Sequence, residues 1–368
     1  MSNEDERPPT DGAGGDSPVR SYNEWDPLEE VIVGVIDGAA VPAWDVALRA
    51  TMPARNADFF LRNAGDAFPA EHVDAAREEL EAFAAALRAL GVTVVRPDPV
   101  DHTRPFATPD WSSPGGLYNA MPRDLLLVIG ETVIEAPMAW RSRYFEVNSY
   151  RRLLTDYFRR GAGWIASPRP RLLDDTYDPE FDDHAPYRSG RYLVRELEPT
   201  FDAADFIRCG TDIFAQRSHV TNQLGIDWVS RLIGDEYTVH VLDVHDPSPM
   251  HIDASFMPLA PGKLLLNPHR VKELPAPFDA WDVRFAPEPA LPASHLLYMS
   301  SAWVSMNVFM ADHRRVFVEA GETPLIELFE DWGLEPIPIP FRNVMRFGGC
   351  FHCVTADIRR SGTLESYF

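Results

Sequence analysis

A thiol, an imidazole and a set of carboxylates stand in stretches whose spacing suits covalent chemistry. Cys353 closes the run Gly348-Gly349-Cys350-Phe351-His352-Cys353. Two glycines let the backbone run close to other groups, and a thiol is well suited to nucleophilic attack. His251 stands two residues before Asp253 in Pro249-Met250-His251-Ile252-Asp253. On a strand, residues two apart share a face, so imidazole and carboxylate would address one pocket. An imidazole also titrates near physiological pH, as proton shuttling requires. Asp202 and Asp205 flank Ala203-Ala204; one acid could orient the imidazole and the other cap Phe206-Ile207-Arg208. Arg270 offers a planar fork for a carboxylate, or else a solvated loop residue.

Plainer readings compete with these. Free cysteines are among the most buried residues, and for Cys209, which has no polar company, packing is the better account. Cys350-x-x-Cys353 is formally a dithiol motif, but no βαβ context surrounds it. Zinc would need two further ligands, and neither a second C-x-x-C nor an H-x-x-x-H occurs. His102, His184, His240, His245 and His295 carry no partner in the sequence comparable to that of His251.

The elements that must position these residues repeat along the chain. Glu71 to Leu90 has helical apolar spacing, Gly91 stops it, and Val92 to Val95 reads as a strand. Tyr150 to Arg160 before Trp164 to Ala166 has the same grammar. So do Asn222 to Ile233 before Tyr237 to Leu242, and Pro324 to Trp332 before Ile337 to Ile339. A weaker fifth unit lies at Pro277 to Phe285, where prolines leave little room for a helix. Between them come paired strand-like runs at Glu30 to Ile36, Leu125 to Glu135, Asp212 to Gln216, Phe256 to Leu266 and Val304 to Val318. The alternation predicts five similar α/β modules in a closed ring. A doubly wound sheet is the competitor, but no Gly-rich phosphate loop follows any strand. Short polar stretches precede the hairpins: Pro122-Arg123-Asp124, Asp202 to Asp205, His251-Ile252-Asp253 and Ser300-Ser301. In a ring of modules these equivalent positions converge on the axis.

Composition narrows the partners. Lys plus Arg number 34 against 56 Asp plus Glu, a formal charge of −22. Such a field repels a phosphate backbone and anionic lipid, so neither nucleic acid nor membrane is an expected partner. No apolar run reaches the roughly 20 residues that span a bilayer. Three cysteines in so long a chain point to a reducing, cytoplasmic setting. Residues 1–18 are acidic and rich in Gly, Pro and Ser, which predicts a disordered tail before one domain over 19–368.

Taken in order, these motifs resemble the amidinotransferases, the glycine- and inosamine-phosphate-using enzymes. The resemblance begins at Asn23 to Gly34 and passes through Met121 to Asp124, Glu135 to Arg143, Phe201 to Arg208, Pro249 to Ala254 and Met299-Ser300-Ser301. It closes with Gly348 to Cys353 and Asp357-Ile358-Arg359-Arg360. It implies a pentein-like five-module α/β propeller around a central channel, acting without cofactor or metal. The nucleophile would be Cys353, the general acid/base His251 and its orienting acid Asp202. Guanidinium-binding carboxylates would be Asp124 and Asp253; Arg270, Ser300 and Ser301 would hold a carboxylate. The implied reaction moves the amidino group of L-arginine to a small amine and releases L-ornithine. Ser248 replaces the Asn usual in glycine-using members, whereas Met250 keeps their pattern, and Cys350 replaces a third Gly. A glycine-like amino acid is the favoured acceptor. The alternatives are an aminocyclitol phosphate acceptor, deiminase-like hydrolysis, or silent arginine binding. A homodimer is usual in the family.

Overall fold

The computed structural model describes residues 17–181, 191–246, 248–274 and 276–368. The expected tail therefore lies outside the described residues except for Ser17 and Pro18. Both are buried, and the Ser17 carbonyl accepts from Arg359 Nη1 at 2.6 Å.

Five three-stranded sheets share one topology, in which the first strand pairs antiparallel with the second and the second parallel with the third. The second module holds Leu126–Ile129, Thr132–Glu135 and, after helix Arg151–Arg159, Gly163–Ala166. The third holds Phe206–Cys209, Asp212–Gln216, helix Gln223–Ile233 and Thr238–Leu242. The fourth holds Phe256–Ala260, Lys263–Leu266 and Asp282–Phe285; in place of a long helix it has the 3-10 turn Ala276–Phe278, as its prolines predict. The fifth holds Phe309–Met310, Arg315–Glu319, helix Thr323–Asp331 and Glu335–Ile339.

The first module corrects the expectation of a hairpin at Glu30 to Ile36. Leu28–Val33 pairs instead with the C-terminal strand Thr355–Arg360 on one side and with Thr93–Val95 on the other. Val35–Ala40 leaves that sheet and pairs with Leu117–Asn119. Gly34 marks the departure: a Cβ there would lie 2.1 Å from the Ala120 carbonyl oxygen. The two chain ends thus complete one module, which closes the repeat.

Burial runs from the inside outward. In the third module the first strand is wholly buried, the second nearly so, and the third largely open. Strands buried on both faces read as continuous apolar runs, such as Leu264-Leu265-Leu266. The helices need only one apolar stripe. In Ala70–Ala89 that stripe is Val73, Ala76, Leu80, Phe83, Ala84 and Leu87, at the 3- and 4-residue spacing of a one-sided helix.

Beneath the first module lies a cluster of buried charge. Arg208 donates from Nε and Nη2 to the two oxygens of Glu24, each at 2.8 Å, and from Nη2 to Asp357 Oδ2 at 2.9 Å. Arg360 Nε also donates to Asp357 Oδ2, at 2.6 Å, and Arg123 Nη2 donates to Asp357 Oδ1. Burial pushes the Glu24 and Asp357 carboxyls up, but the guanidinium groups hold both far below the ordinary range. Removing one partner of such a set strands the others in the interior. Arg208→Ala should therefore cost about 3–5 kcal/mol, read as a large fall in denaturation midpoint; a midpoint within a degree or two of wild type would show that the cluster contributes little.

Candidate active site

Each module has a short helical turn just before its first strand. Asp124 lies on Pro122–Leu125, Asp202 caps Ala203–Asp205 and Asp253 lies on Ile252–Ala254. Ser301 precedes Ala302–Met306, and Cys353 lies in the turn 351–354 that leads into Thr355–Arg360. Side chains that are far apart in sequence therefore meet at one place.

Cys353 Sγ, His251 and an Asp124 oxygen lie within 4.8 Å of one another, all three residues buried. Asp202 Oδ2 is 3.1 Å from His251 Nε2, and Asp124 Oδ1 is 3.5 Å from Nδ1. Arg143 Nη1 donates to Asp124 Oδ2 at 2.7 Å, whereas Asp124 Oδ1 is buried with no hydrogen-bond partner. Cys353 Sγ is 3.6 Å from Asp253 Oδ2. His251 is not on a strand, as its spacing from Asp253 suggested. It has φ of 63°, a left-handed conformation that non-Gly residues rarely take. That twist, followed by a 3-10 turn, sends the imidazole toward Asp202 and the Asp253 carboxylate toward the thiol.

Charge sets the protonation. Burial alone would lower the His251 pKa, but Asp124, Asp202 and Asp205 raise it to about 10, so the resting imidazole holds its proton. Burial, with Asp253 and then Asp124, pushes the Cys353 thiol well above its usual value. Asp253 is held low despite burial, chiefly by His352. Asp205 does not cap the following strand. It accepts from Gln216 Nε2, Ser218 Oγ and Thr221 Oγ1 at 2.5–2.7 Å, and burial raises it to about 6.

The turn that carries Cys353 is held from outside. Asn307 Oδ1 accepts from the backbone N–H of Cys353 at 2.9 Å and of Cys350 at 3.2 Å. Gly348 has φ of 94°, and a Cβ at Gly349 would meet Met121 Sδ at 2.4 Å and Cys353 Cβ at 2.7 Å. The side chain of Cys350 is accommodated in the apolar core.

A cavity of about 570 Å³ opens above the thiol. His251, Asp253 and Cys353 line its floor, and Arg270, Ser300, Ser301, Met250 and Ser248 line its walls. Asp124 and Asp202 do not line it, but an Asp124 oxygen lies within 4.8 Å of the thiol and the imidazole that do. Arg270 is no solvated loop residue: Nη1 pairs with Asp246 at 3.0 Å and Nη2 donates to Ser301 Oγ at 3.4 Å. Sequence reasoning missed Asp246, Asn307, Arg143 and the segment 49–54 that covers one wall. The Asp45 cap, whose Oδ1 accepts from Leu48 N at 3.0 Å, was the available signal for the helix beneath that segment. It also passed over His245, which lines the cavity, and His240, which pairs with Asp212 at 2.6 Å on an outer strand.

Five α/β modules converging on a buried Cys, His and Asp define the pentein class of folds. No family model matches the chain. It is 52% identical over 351 residues to the L-arginine:L-lysine amidinotransferase of Pseudomonas savastanoi pv. phaseolicola, covering 95% of this chain and 97% of that protein. It is 48% identical over 367 residues to the mitochondrial glycine amidinotransferase of Xenopus tropicalis, covering 98% and 87%. Among solved structures it is similar to SxtG, an amidinotransferase from Microseira wollei in the saxitoxin biosynthetic pathway: TM-score 0.89 and 47% identity, covering 95% of this chain and 100% of that one. The chain belongs to the amidinotransferase family.

The His251 shift carries a sign. Raised from 6.5 to about 10, it adds stability that is complete below the unfolded value and lost as pH rises through the folded one. Denaturant titrations of wild type and His251→Asn should therefore converge between about pH 6.5 and 10. A constant difference across that window would contradict the assignment. Gly349→Ala should retain the fold but lose nearly all turnover, because Cβ displaces the thiol. Wild-type rates for this variant would show that the turn tolerates the side chain.

Proposed function

We propose that the protein transfers the amidino group of L-arginine to a small amine acceptor through an amidino-cysteine on Cys353, releasing L-ornithine. The observation that supports this best is the meeting of thiol, imidazole and Asp124 within 4.8 Å beneath a cavity whose wall carries Arg270 and two serines. A guanidinium is a poor electrophile because its charge is delocalised, so it must be held rigidly. Asp124 Oδ1, which makes no hydrogen bond and lies 3.5 Å from His251 Nδ1, and the carboxylate of Asp253 are the acceptors we assign to its N–H groups. Arg270, Ser300 and Ser301 are assigned to the α-carboxylate of arginine.

The charges then run the chemistry in order. A cation bound between Asp124 and Asp253 neutralises the two groups that disfavour the thiolate, and the thiol proton leaves to solvent. Sulfur attacks the central carbon, and the C–Nδ bond breaks. His251, already protonated, gives its proton to the departing nitrogen and is left neutral. The acceptor amine attacks the amidino-cysteine, the C–S bond breaks, and His251 takes the amine proton. Asp202 keeps the ring oriented through both steps.

For the acceptor we favour glycine or a similar amino acid, lysine among them. Met250 lines the cavity with Ser248, and the Arg270–Asp246 pair offers both charges that an α-amino acid requires. Three buried free cysteines fit a reducing cytoplasm. Among the described residues no helix is long and apolar enough to cross a membrane.

Two measurements test the reading. Arginine alone should release ornithine and add the mass of one amidine group to Cys353, with ping-pong kinetics once acceptor is present; citrulline as the product would identify a hydrolase, and no adduct with no turnover a binding protein. Cys353→Ala should abolish both while the fold persists. Amines screened by ornithine release should favour α-amino acids. Turnover confined to an aminocyclitol phosphate would overturn the acceptor assignment.

A further inference from the structure

His352, the neighbour of the nucleophile, has no part in the chemistry described so far. It is 1% exposed. Its Nδ1 lies 2.8 Å from Asp253 Oδ2 and its Nε2 lies 3.2 Å from Glu24 Oε2. Both ring nitrogens face carboxylate oxygens, which accept from a ring N–H. Asp253 Oδ2 is also the oxygen 3.6 Å from Cys353 Sγ. One oxygen thus stands between the imidazole and the thiol, while the Asp253 side chain lines the cavity.

The far side of the ring is equally constrained. Glu24 is gripped by Arg208 through both oxygens, and Arg208 and Arg123 reach Asp357. The His352 carbonyl accepts from Arg123 Nε at 3.3 Å, and its N–H donates to the Asn307 carbonyl at 3.3 Å. The ring is therefore anchored by its own backbone and by the ion cluster, and it presents one N–H to Asp253.

We infer that His352 is a positioning residue: it fixes the Asp253 carboxylate so that one oxygen faces the thiol of Cys353 and the side chain is presented to the substrate's cation. Without this donor the carboxylate would carry its full charge beside sulfur and would be free to rotate. The part that concerns the substrate rests on the donor-binding role proposed for Asp253. The part that concerns the thiol does not.

The two halves of the ring can be replaced separately. In His352→Asn the amide N–H₂ takes the place of Nδ1 and can still reach Asp253; in His352→Gln it takes the place of Nε2 and can reach only Glu24. Alkylation of Cys353 by iodoacetamide, followed by mass spectrometry at one fixed pH, reads the thiol without any substrate. A hydrogen bond to a charged group corresponds to roughly 10- to 100-fold. The Gln variant should be alkylated slower by that factor, and the Asn variant within a few-fold of wild type. With arginine and acceptor, the Gln variant should show the larger rise in KM for arginine, beyond any change in kcat. Equal losses in both variants, or loss only in Asn, would overturn the inference and leave His352 as packing. The background Asp253→Asn gives an independent check. There His352→Gln should slow alkylation no further, and an undiminished effect would refute action through Asp253. Absence of amidino transfer in wild type would sink the donor assignment while leaving the alkylation result to stand or fall on its own.

Discussion

The grip of Arg208 on Glu24 and Asp357 is the constraint from which the rest of this molecule is built. Glu24 precedes the first strand of the chain and Asp357 lies on the last, while Arg208 lies on the innermost strand of the third module. Three segments separated by well over a hundred residues are joined at one buried point. Ion pairs that are buried gain little over apolar packing, but they leave an unacceptable charge behind when mispaired. Such a cluster therefore selects one arrangement of the chain ends. That arrangement pairs Thr355–Arg360 with Leu28–Val33 and completes the sheet of the first module.

The same cluster carries the floor of the site. Arg123 precedes Asp124 in sequence, His352 precedes Cys353, and Arg208 lies two residues beyond Phe206, the first residue of the strand that follows the Asp202 turn. In each case one residue belongs to the ion network and a residue close to it in sequence belongs to the candidate site. The chemistry in turn depends on an excess of negative charge around two protons. Four carboxylates, at 124, 202, 205 and 253, crowd one imidazole and one thiol, so His251 is charged and Cys353 is not. A bound cation would reverse the balance at sulfur. On the function proposed above, a guanidinium is the ligand that does so.

Much of this was legible beforehand, for reasons that can be named. The helix over Ala70–Ala89 has an apolar stripe and a stop at Gly91, and local rules read both. The polar stretches ahead of the hairpins were expected to converge because equivalent positions of repeated modules face one axis, and four of them do. The first-module hairpin was misread because Glu30 to Ile36 is apolar enough to pair with any neighbour. Its partner lies more than three hundred residues away, and no local pattern encodes that. The strand reading of His251 failed because a φ of 63° cannot be seen in a residue that is not glycine.

Residue types and their order determined the chemistry of this protein: a thiol after two glycines, an imidazole near acids, a five-fold grammar of helix and strand, and motifs shared with a family. Tertiary structure alone decided which acids face the imidazole and which the thiol. It also decided that Arg270 is paired with Asp246, that Asn307 accepts from the Cys353 N–H, and that His352 lies against Asp253. The division has a physical cause. Periodicity and turn chemistry act over a few residues and leave a trace in sequence, whereas protonation and hydrogen-bond partnership depend on distances between atoms that only the closed ring brings together.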